Sequence, residues 1–513
     1  MSLATRPAAL PVSFRSLTVL DSVRAAAARG PGKIAIVHGD RTLSFGDLVA
    51  RADKLRDAML TGFGLGKSDT VAIVARNCVE YIEIVCGAPD AGVAVATVNP
   101  RLAPTEIGAT VADAGARVVF TDAATAEAVR AAGLDPSVAI VVLGQEYEAL
   151  LAGAGAPDAY PVIDEWDVWT IPYTSGTTGQ PKGVMLSHRS RLLFSLISAS
   201  EFGCFGPDDK FLAMTPMAFG GGLGFPLASL STGGSIEILD KFDAEITLSK
   251  LKFGGFTGIF MVPTHFQMIF ELPLETLDRY RRPPINAIVS NAAPLPQAMK
   301  QKIVPYFGEG ILHEIYSSTE MGVVCNLRPR FQLLKERCVG TPQAHAQVSI
   351  RDLEGKECDA DEVGEVFVRS PTLFNGYLNR PEETAKAFKD GWVSVGDMAR
   401  RDTEGFIYIV DRKKDMVISG GVNIYPREIE ELLLHHPKVV EVAVIGVPDE
   451  RWGERLRAVI VVRAGETLTA VDVADYCTGK LAAYKIPREL SLVEALPRNA
   501  NGKVLKTDLR KHA

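Results

Sequence analysis

Two hydrophobic periods take turns along this chain, and their alternation restricts the fold before any motif is read. Ile34 to Val37 is a short β-rich run closed by Gly39-Asp40. Ser44 then stands three residues before Asp47, the spacing of a capping pair, ahead of Leu48, Ala52, Leu55 and Met59 at helical intervals. Thr70 to Ala75 is strand-like, Ala103 to Ala114 helix-like after Asn99-Pro100, and Val118 to Thr121 strand-like again. Strand, turn and helix in rotation predict α/β layers around largely parallel sheets. At 513 residues the chain exceeds what one growing core accommodates, so at least two domains are expected.

Several function classes are disfavoured by composition. A net charge of −7 argues against a nucleic-acid surface. The longest apolar stretch, Val71 to Val98, is interrupted by Arg76, Glu80, Glu83 and Asp90, so no membrane span is expected. Met1 to Phe14 carries Arg6 and two prolines without a continuous apolar run, which predicts no secretory signal and a loose arm. The seven cysteines (78, 86, 204, 325, 338, 358 and 477) include no C-x-x-C pair and offer neither a metal site nor a disulfide framework. The expectation is a cytoplasmic protein with reduced thiols. A homodimer is left open.

The densest chemistry lies in Tyr173-Thr174-Ser175-Gly176-Thr177-Thr178-Gly179-Gln180-Pro181-Lys182-Gly183-Val184. Gly176, Gly179 and Gly183 can take positive φ and turn N–H groups toward an anion, hydroxyls of Thr174, Ser175, Thr177 and Thr178 add donors, and Lys182 adds a mobile cation. Strand-like runs enter from Val168 and leave through Val184 to His188. This predicts a phosphate grip rather than an idle loop. It is not a Walker A loop, because Pro181 precedes the lysine and Gly183 follows it. No dinucleotide fingerprint and no G-x-S-x-G elbow is present.

This loop resembles the signature loop of the AMP-forming acyl-CoA synthetases, the superfamily that includes peptide-synthetase adenylation domains and luciferase. Further matches run in the family's order from Thr42-Leu43-Ser44-Phe45 to Asn501-Gly502-Lys503 and cover nearly the whole chain. The resemblance implies an α/β fold: a large N-terminal adenylate-forming domain of layered sheets and helices, residues 1–411, and a smaller mobile α+β C-terminal domain, residues 412–513. A charged cluster at Asp411-Arg412-Lys413-Lys414-Asp415 after the apolar Ile409-Val410 marks the expected boundary. The implied reaction joins a carboxylic acid to CoA, with ATP and Mg²⁺, through an acyl-adenylate. Ala292, Ala293 and Tyr316 would sandwich adenine, Thr319 contact the α-phosphate and Glu320 hold the metal. Asp397 and Arg412 would contact the ribose, Lys414 would be the hinge, and Lys503 the adenylation lysine. Gly420 and Gly421 would line the pantetheine tunnel, with Trp452, Lys485 and Arg488 on CoA.

Met217, Phe219 and Gly221 fall on the resembled acyl-pocket motif, where Phe219 replaces a frequent histidine. Asn291 and Ser317 replace glycines beside the adenylate. The run Gly220-Gly221-Gly222 suggests room for a wide, rigid or bulky acid. Two alternatives stay open: loading of a carrier protein instead of free CoA, and a ligase-like protein limited to the thioester half-reaction.

Overall fold

Val71 to Val98, the most apolar part of the chain, folds into strand Thr70–Val74, helix Val79–Asp90 and strand Ala94–Thr97, and is buried almost throughout. The helix is covered on all sides, which is why it reads as a continuous hydrophobic run rather than an amphipathic stripe. No helix among the described residues is long and apolar enough to cross a membrane. The computed structural model describes residues 16–174, 181–420, 422–498 and 504–511.

Contacts divide the chain into two units. The first holds the residues up to Val348 together with Val368–Val393; the second holds Ser349–Phe367 and the residues from Ser394 onward. In chain order, the site-bearing elements of the first unit are strands β1 (Val168–Thr174) and β2 (Lys182–Ser187), helices α1 (His188–Phe202) and α2 (Gly220–Thr232), and strands β3 (Gly258–Met261) and β4 (Ala287–Ser290). Next come helix α3 (Gln297–Phe307), strands β5 (Leu312–Ser318), β6 (Gly322–Leu327) and β7 (Gly376–Tyr377), and helix α4 (Pro381–Ala387).

Two sheets organise this unit. The nine-stranded one runs Thr341–Pro342, β6, β5, β4, β3, Lys210–Ala213, Ser235–Ile238, Ile34–His38, Arg41–Ser44. Its centre is parallel and its edges antiparallel. The seven-stranded one runs β7, β2, β1, Ala94–Thr97, Thr70–Val74, Ala116–Thr121, Ala139–Val142, again parallel except at the β1–β2–β7 edge. The predicted cap is present: the Ser44 side chain accepts from the Asp47 N–H while Asp47 accepts from the Ser44 N–H, opening helix Phe45–Asp57.

In the second unit, β8 (Asp397–Arg401) and β9 (Ile407–Arg412) form an antiparallel hairpin. Helix α5 (Pro426–Leu434) then covers a sheet of Val422–Ile424, Val417–Ser419, Gly453–Val462 and Val439–Asp449, with Glu489–Leu492 pairing parallel to Gly453–Val462. The division does not fall at 411/412. Glu365 accepts from Ser394 and Lys413, Asp397 pairs with Arg412, and the Asp411 carboxylate accepts the Arg427 N–H at the start of α5. Residues 349–367 and 394–411 therefore pack with the C-terminal part of the chain. Helix Ala470–Cys477 ends where Thr478 turns extended and Gly479 adopts φ +76°.

Candidate active site

The expected phosphate loop joins β1 to β2 at the edge of the seven-stranded sheet. Ser175, Gly176, Thr177, Thr178 and Gly179 lie outside the described residues; Thr174 and Lys182 flank them and face each other across the antiparallel pair. Gly183 departs from expectation. It does not take positive φ. A Cβ there would meet the Tyr173 ring 3.1 Å away and Ile171 at 2.8 Å, so this glycine exists to let the cross-strand aromatic lie flat.

Lys182 is the best-tied residue of the site. Its ammonium pairs with the Glu383 carboxylate of α4 and lies 5.2 Å from the centre of the Tyr377 ring. The Tyr377 hydroxyl donates to Glu320 Oε1 at 2.8 Å. The backbone N–H of Tyr377 donates to Thr384 Oγ1 at 2.9 Å, and Thr384 Oγ1 donates to the Arg380 carbonyl, which locks β7 to α4. Arg380 in turn pairs with Asp113 at 3.0 Å, and Asp113 accepts the Tyr173 hydroxyl at 2.9 Å. Burial, followed by the Asp113 charge, raises the Tyr173 pKa, so the phenol stays protonated and serves as a donor. The predicted phosphate lysine and the predicted metal carboxylate are thus joined through one tyrosine.

Sequence reasoning missed Tyr377, Glu383 and Asp113. The run Arg380-Pro381-Glu382-Glu383-Thr384 announces a helix start, with Pro at the first position and acids in the first turn. Nothing local says which cation those acids meet.

The predicted adenine loop leaves β4 and β5 carries its partner. Tyr316 is buried in β5, Thr319 and Glu320 form the turn toward β6, and Glu320 is 9% exposed. Ala292 and Ala293 are exposed, and Ala292 adopts φ +78°, a conformation that costs an alanine about 1–2 kcal/mol. That strain is held from both ends. The Asn291 amide donates to Ser317 Oγ, and the Leu295 N–H donates to Glu314 Oε1 at 3.0 Å, with Glu314 itself paired to Lys300 of α3 in the interior. The two residues that depart from the resembled glycines therefore bond to each other.

At the acyl motif the structure corrects the idea of missing bulk as empty room. Met217 is buried, its N–H bonded to Asn77 Oδ1 at 2.8 Å, and Phe219 is half-buried as the residue before α2. A Cβ on Gly222 would collide with the Pro216 carbonyl, and one on Gly221 would sit 2.7 Å from the Phe260 ring at the end of β3. Only Gly220 of the three faces open space within 4 Å. Gly221 and Gly222 serve close packing, not width.

In the second unit, Arg412 Nε lies 2.9 Å from Asp397 Oδ1 across the β8–β9 hairpin, and Gly396, just before β8, adopts φ +79°. Lys414 is exposed in the turn after β9, where Asp415 and Met416 N–H groups donate to the Arg412 carbonyl. The Trp452 ring packs 2.8 Å from where Gly420 would carry a Cβ, and Arg488 lies 5.6 Å from the Trp452 ring centre. Gly420, Trp452 and Arg488 come together; Lys485 instead pairs with Glu428 of α5 at 2.6 Å. Gly421 and Lys503 lie outside the described residues.

For a divalent cation the fit rests on Glu320. Among the described residues no group of three His, Cys, Asp or Glu is placed to hold a metal ion, while one buried carboxylate stands beside the phosphate lysine's network. A single carboxylate suits Mg²⁺, which keeps phosphate and water ligands rather than an all-protein cage.

The chain is similar to known proteins over most of its length. The model of the AMP-binding enzymes matches residues 23–378, and that of the AMP-binding enzyme C-terminal domain residues 428–503. The chain is 33% identical to the indoleacetate–CoA ligase of Aromatoleum aromaticum, covering 94% of this chain and 95% of that one, and 32% identical to a feruloyl-CoA synthase of an Amycolatopsis species, covering 94% and 96%. The o-succinylbenzoate CoA synthetase of Bacillus subtilis, solved with its acyl-adenylate intermediate, superposes with a TM-score of 0.84 at 28% identity, over 97% of this chain and 99% of that one; the same protein has also been solved with ATP and a magnesium ion. The chain belongs to the family of AMP-binding enzymes, as an AMP-forming acid–thiol ligase.

Proposed function

We propose that the enzyme activates a bulky, aromatic carboxylic acid with ATP and transfers it to free CoA. The observation that carries this reading is the chain of contacts Glu383–Lys182–Tyr377–Glu320, which sets a cation and a carboxylate on either side of one tyrosine. Lys182 exchanges Glu383 for the phosphates of ATP. Thr319 donates to the α-phosphate, the Ala292-Ala293 loop and Tyr316 hold the adenine, and Asp397 with Arg412 hold the ribose. Glu320 would hold Mg²⁺, which when bound neutralises phosphate charge. The carboxylate attacks the α-phosphorus and pyrophosphate leaves, with Lys503 stabilising the charge that develops. The C-terminal domain then turns about Lys414, and the CoA thiolate, guided by Gly420, Gly421, Trp452, Lys485 and Arg488, displaces AMP from the acyl carbon.

The aromatic character of the acid is supported by the relatives' named substrates and by the rings of Phe194, Phe225 and Phe260 beside α2. Cytoplasmic action belongs to the same reading. The test is AMP release with ATP and CoA across acetate, linear, aryl and arylalkanoic acids. Aryl acids are expected to lead. Preference for acetate refutes the acid class, thioester formation only from supplied acyl-adenylate refutes the first step, and turnover only with a phosphopantetheinyl carrier refutes free CoA as acceptor.

A further inference from the structure

Arg191, in the first turns of α1, is a charge without a counter-charge. It is 8% exposed, and its Nε and Nη2 are buried without a hydrogen-bond partner. No carboxylate pairs with it among the described residues. Burial alone lowers its pKa to about 10, which still leaves it cationic at neutral pH. A leucine or methionine would fill such a place without desolvating a guanidinium, and the nearby Phe194 ring face, 5.3 Å from Cζ, compensates only part of that cost.

Its surroundings lead to the acyl motif. The Phe194 ring lies 3.0 Å from where Gly224 of α2 would carry a Cβ, Phe194 packs on Phe225, and Phe225 packs on the Phe260 ring that covers Gly221. Both helices run the same way. Glu201 and Phe202, at the end of α1, meet Asn326 and His313, at the strand-start end of β5. Helix α2 ends beside Asp209, where the parallel strand Lys210–Ala213 begins. The first turns of both helices therefore lie toward the opposite, strand-exit end. Arg191 belongs to the first turn of α1, and Gly220, where a Cβ would meet open space, opens α2.

We propose that Arg191 anchors a second anionic group, a distal carboxylate, on the acid that this enzyme activates. The inference rests on the ligase reading above and narrows its substrate to diacids whose far end reaches α1. A guanidinium recognises a carboxylate through paired N–H donors, and a buried one rejects a neutral end by being left unpaired.

The test uses matched pairs: adipate and monomethyl adipate, 1,4-phenylenediacetate and its monomethyl ester, and 2-succinylbenzoate and its ring methyl ester. AMP release gives kcat/KM for each in the parent, Arg191→Met and Arg191→Lys. The parent is expected to favour the free diacid at least tenfold in one or more pairs. Arg191→Met should remove that preference while the ester rate and the KM for ATP hold, and Arg191→Lys should keep part of it. Esters used as well as diacids in every pair, or an unchanged ratio in Arg191→Met, would overturn the anchor while leaving the ligase reading intact. No AMP from any acid in the parent takes down both. Should the methionine variant fail to fold, the parent's ratios and the lysine variant decide.

Discussion

The phosphate side and the acyl side of the first unit are made of opposite materials. Around Lys182 the contacts are polar and exchangeable: Glu383, the Tyr377 ring and, through its hydroxyl, Glu320, each a partner that a bound phosphate or cation could replace. Around α2 they are steric: backbone that cannot give, the Pro216 carbonyl, against Gly222, and side-chain rings that give only at a cost, Phe260 against Gly221 and Phe194 against Gly224. Charges that swap partners allow binding without refolding, whereas backbone touching backbone transmits every added atom as strain. Substitutions on the first side should therefore cost rate and affinity, and those on the second should cost stability or selectivity.

The largest expected effect is on the chemistry. Lys503→Ala should lower adenylate formation, measured as pyrophosphate exchange, by about 3–4 kcal/mol, on the order of a hundred- to a thousandfold. Thioester formation from supplied acyl-adenylate and the thermal midpoint should hardly move. Equal loss in both half-reactions would remove Lys503 from the adenylation role.

Gly222→Ala is the corresponding blow to the acyl side. The new Cβ would collide with the Pro216 carbonyl and stand 2.9 Å from the Thr215 carbonyl oxygen, so stability should fall by about 1–3 kcal/mol, seen as a thermal midpoint lower by a few degrees, with both half-reactions reduced together. An unchanged midpoint would mean that this turn is softer than its contacts imply, and the contrast between the two sides would fail.

How much could be read from sequence obeys the same divide. The strand rhythm, the Ser44–Asp47 cap and the two strands β1 and β2 were legible because each is a local pattern with a local cause. Glu383 and Tyr377 were not, because their meaning depends on meeting Lys182 some two hundred positions away in the chain. The glycines of α2 were misread for a similar reason: absence of a side chain looks alike in sequence whether space or a Phe260 ring takes its place. The 411/412 boundary missed the tertiary pairing of Asp397 with Arg412 and of Arg427 with Asp411.

Tyr377→Phe keeps the ring under Lys182 and removes only the hydroxyl that reaches Glu320. A hydrogen bond to a charged group contributes about 1.5–3 kcal/mol, so the KM for ATP should rise roughly tenfold as Glu320 loses its tether, with the thermal midpoint lower by a few degrees. Tyr377→Leu, which also removes the ring face, should be worse by a further few-fold. Equal KM values for the two variants would show that the ring adds nothing to holding Lys182.

The smallest effect is the most diagnostic, because it asks whether Gly221 borders a ring or a void. A methyl group there would stand 2.7–2.8 Å from two carbons of the Phe260 ring, a clash with the far end of a side chain that can turn aside at a cost of about 1 kcal/mol. Gly221→Ala should therefore lose a few-fold in kcat/KM on aryl acids as the displaced ring narrows the site, and lose little on acetate. Phe260→Leu shortens the obstructing group, so the double variant should recover most of that loss. Contacting residues couple by about 0.5–3 kcal/mol, and the low end of that range is expected from so mobile a partner. Additive losses would mean that the alanine methyl never meets the ring. A gain on aryl acids from Gly221→Ala alone would mean that the glycine faces an underfilled pocket, and the acyl side would then be the looser of the two.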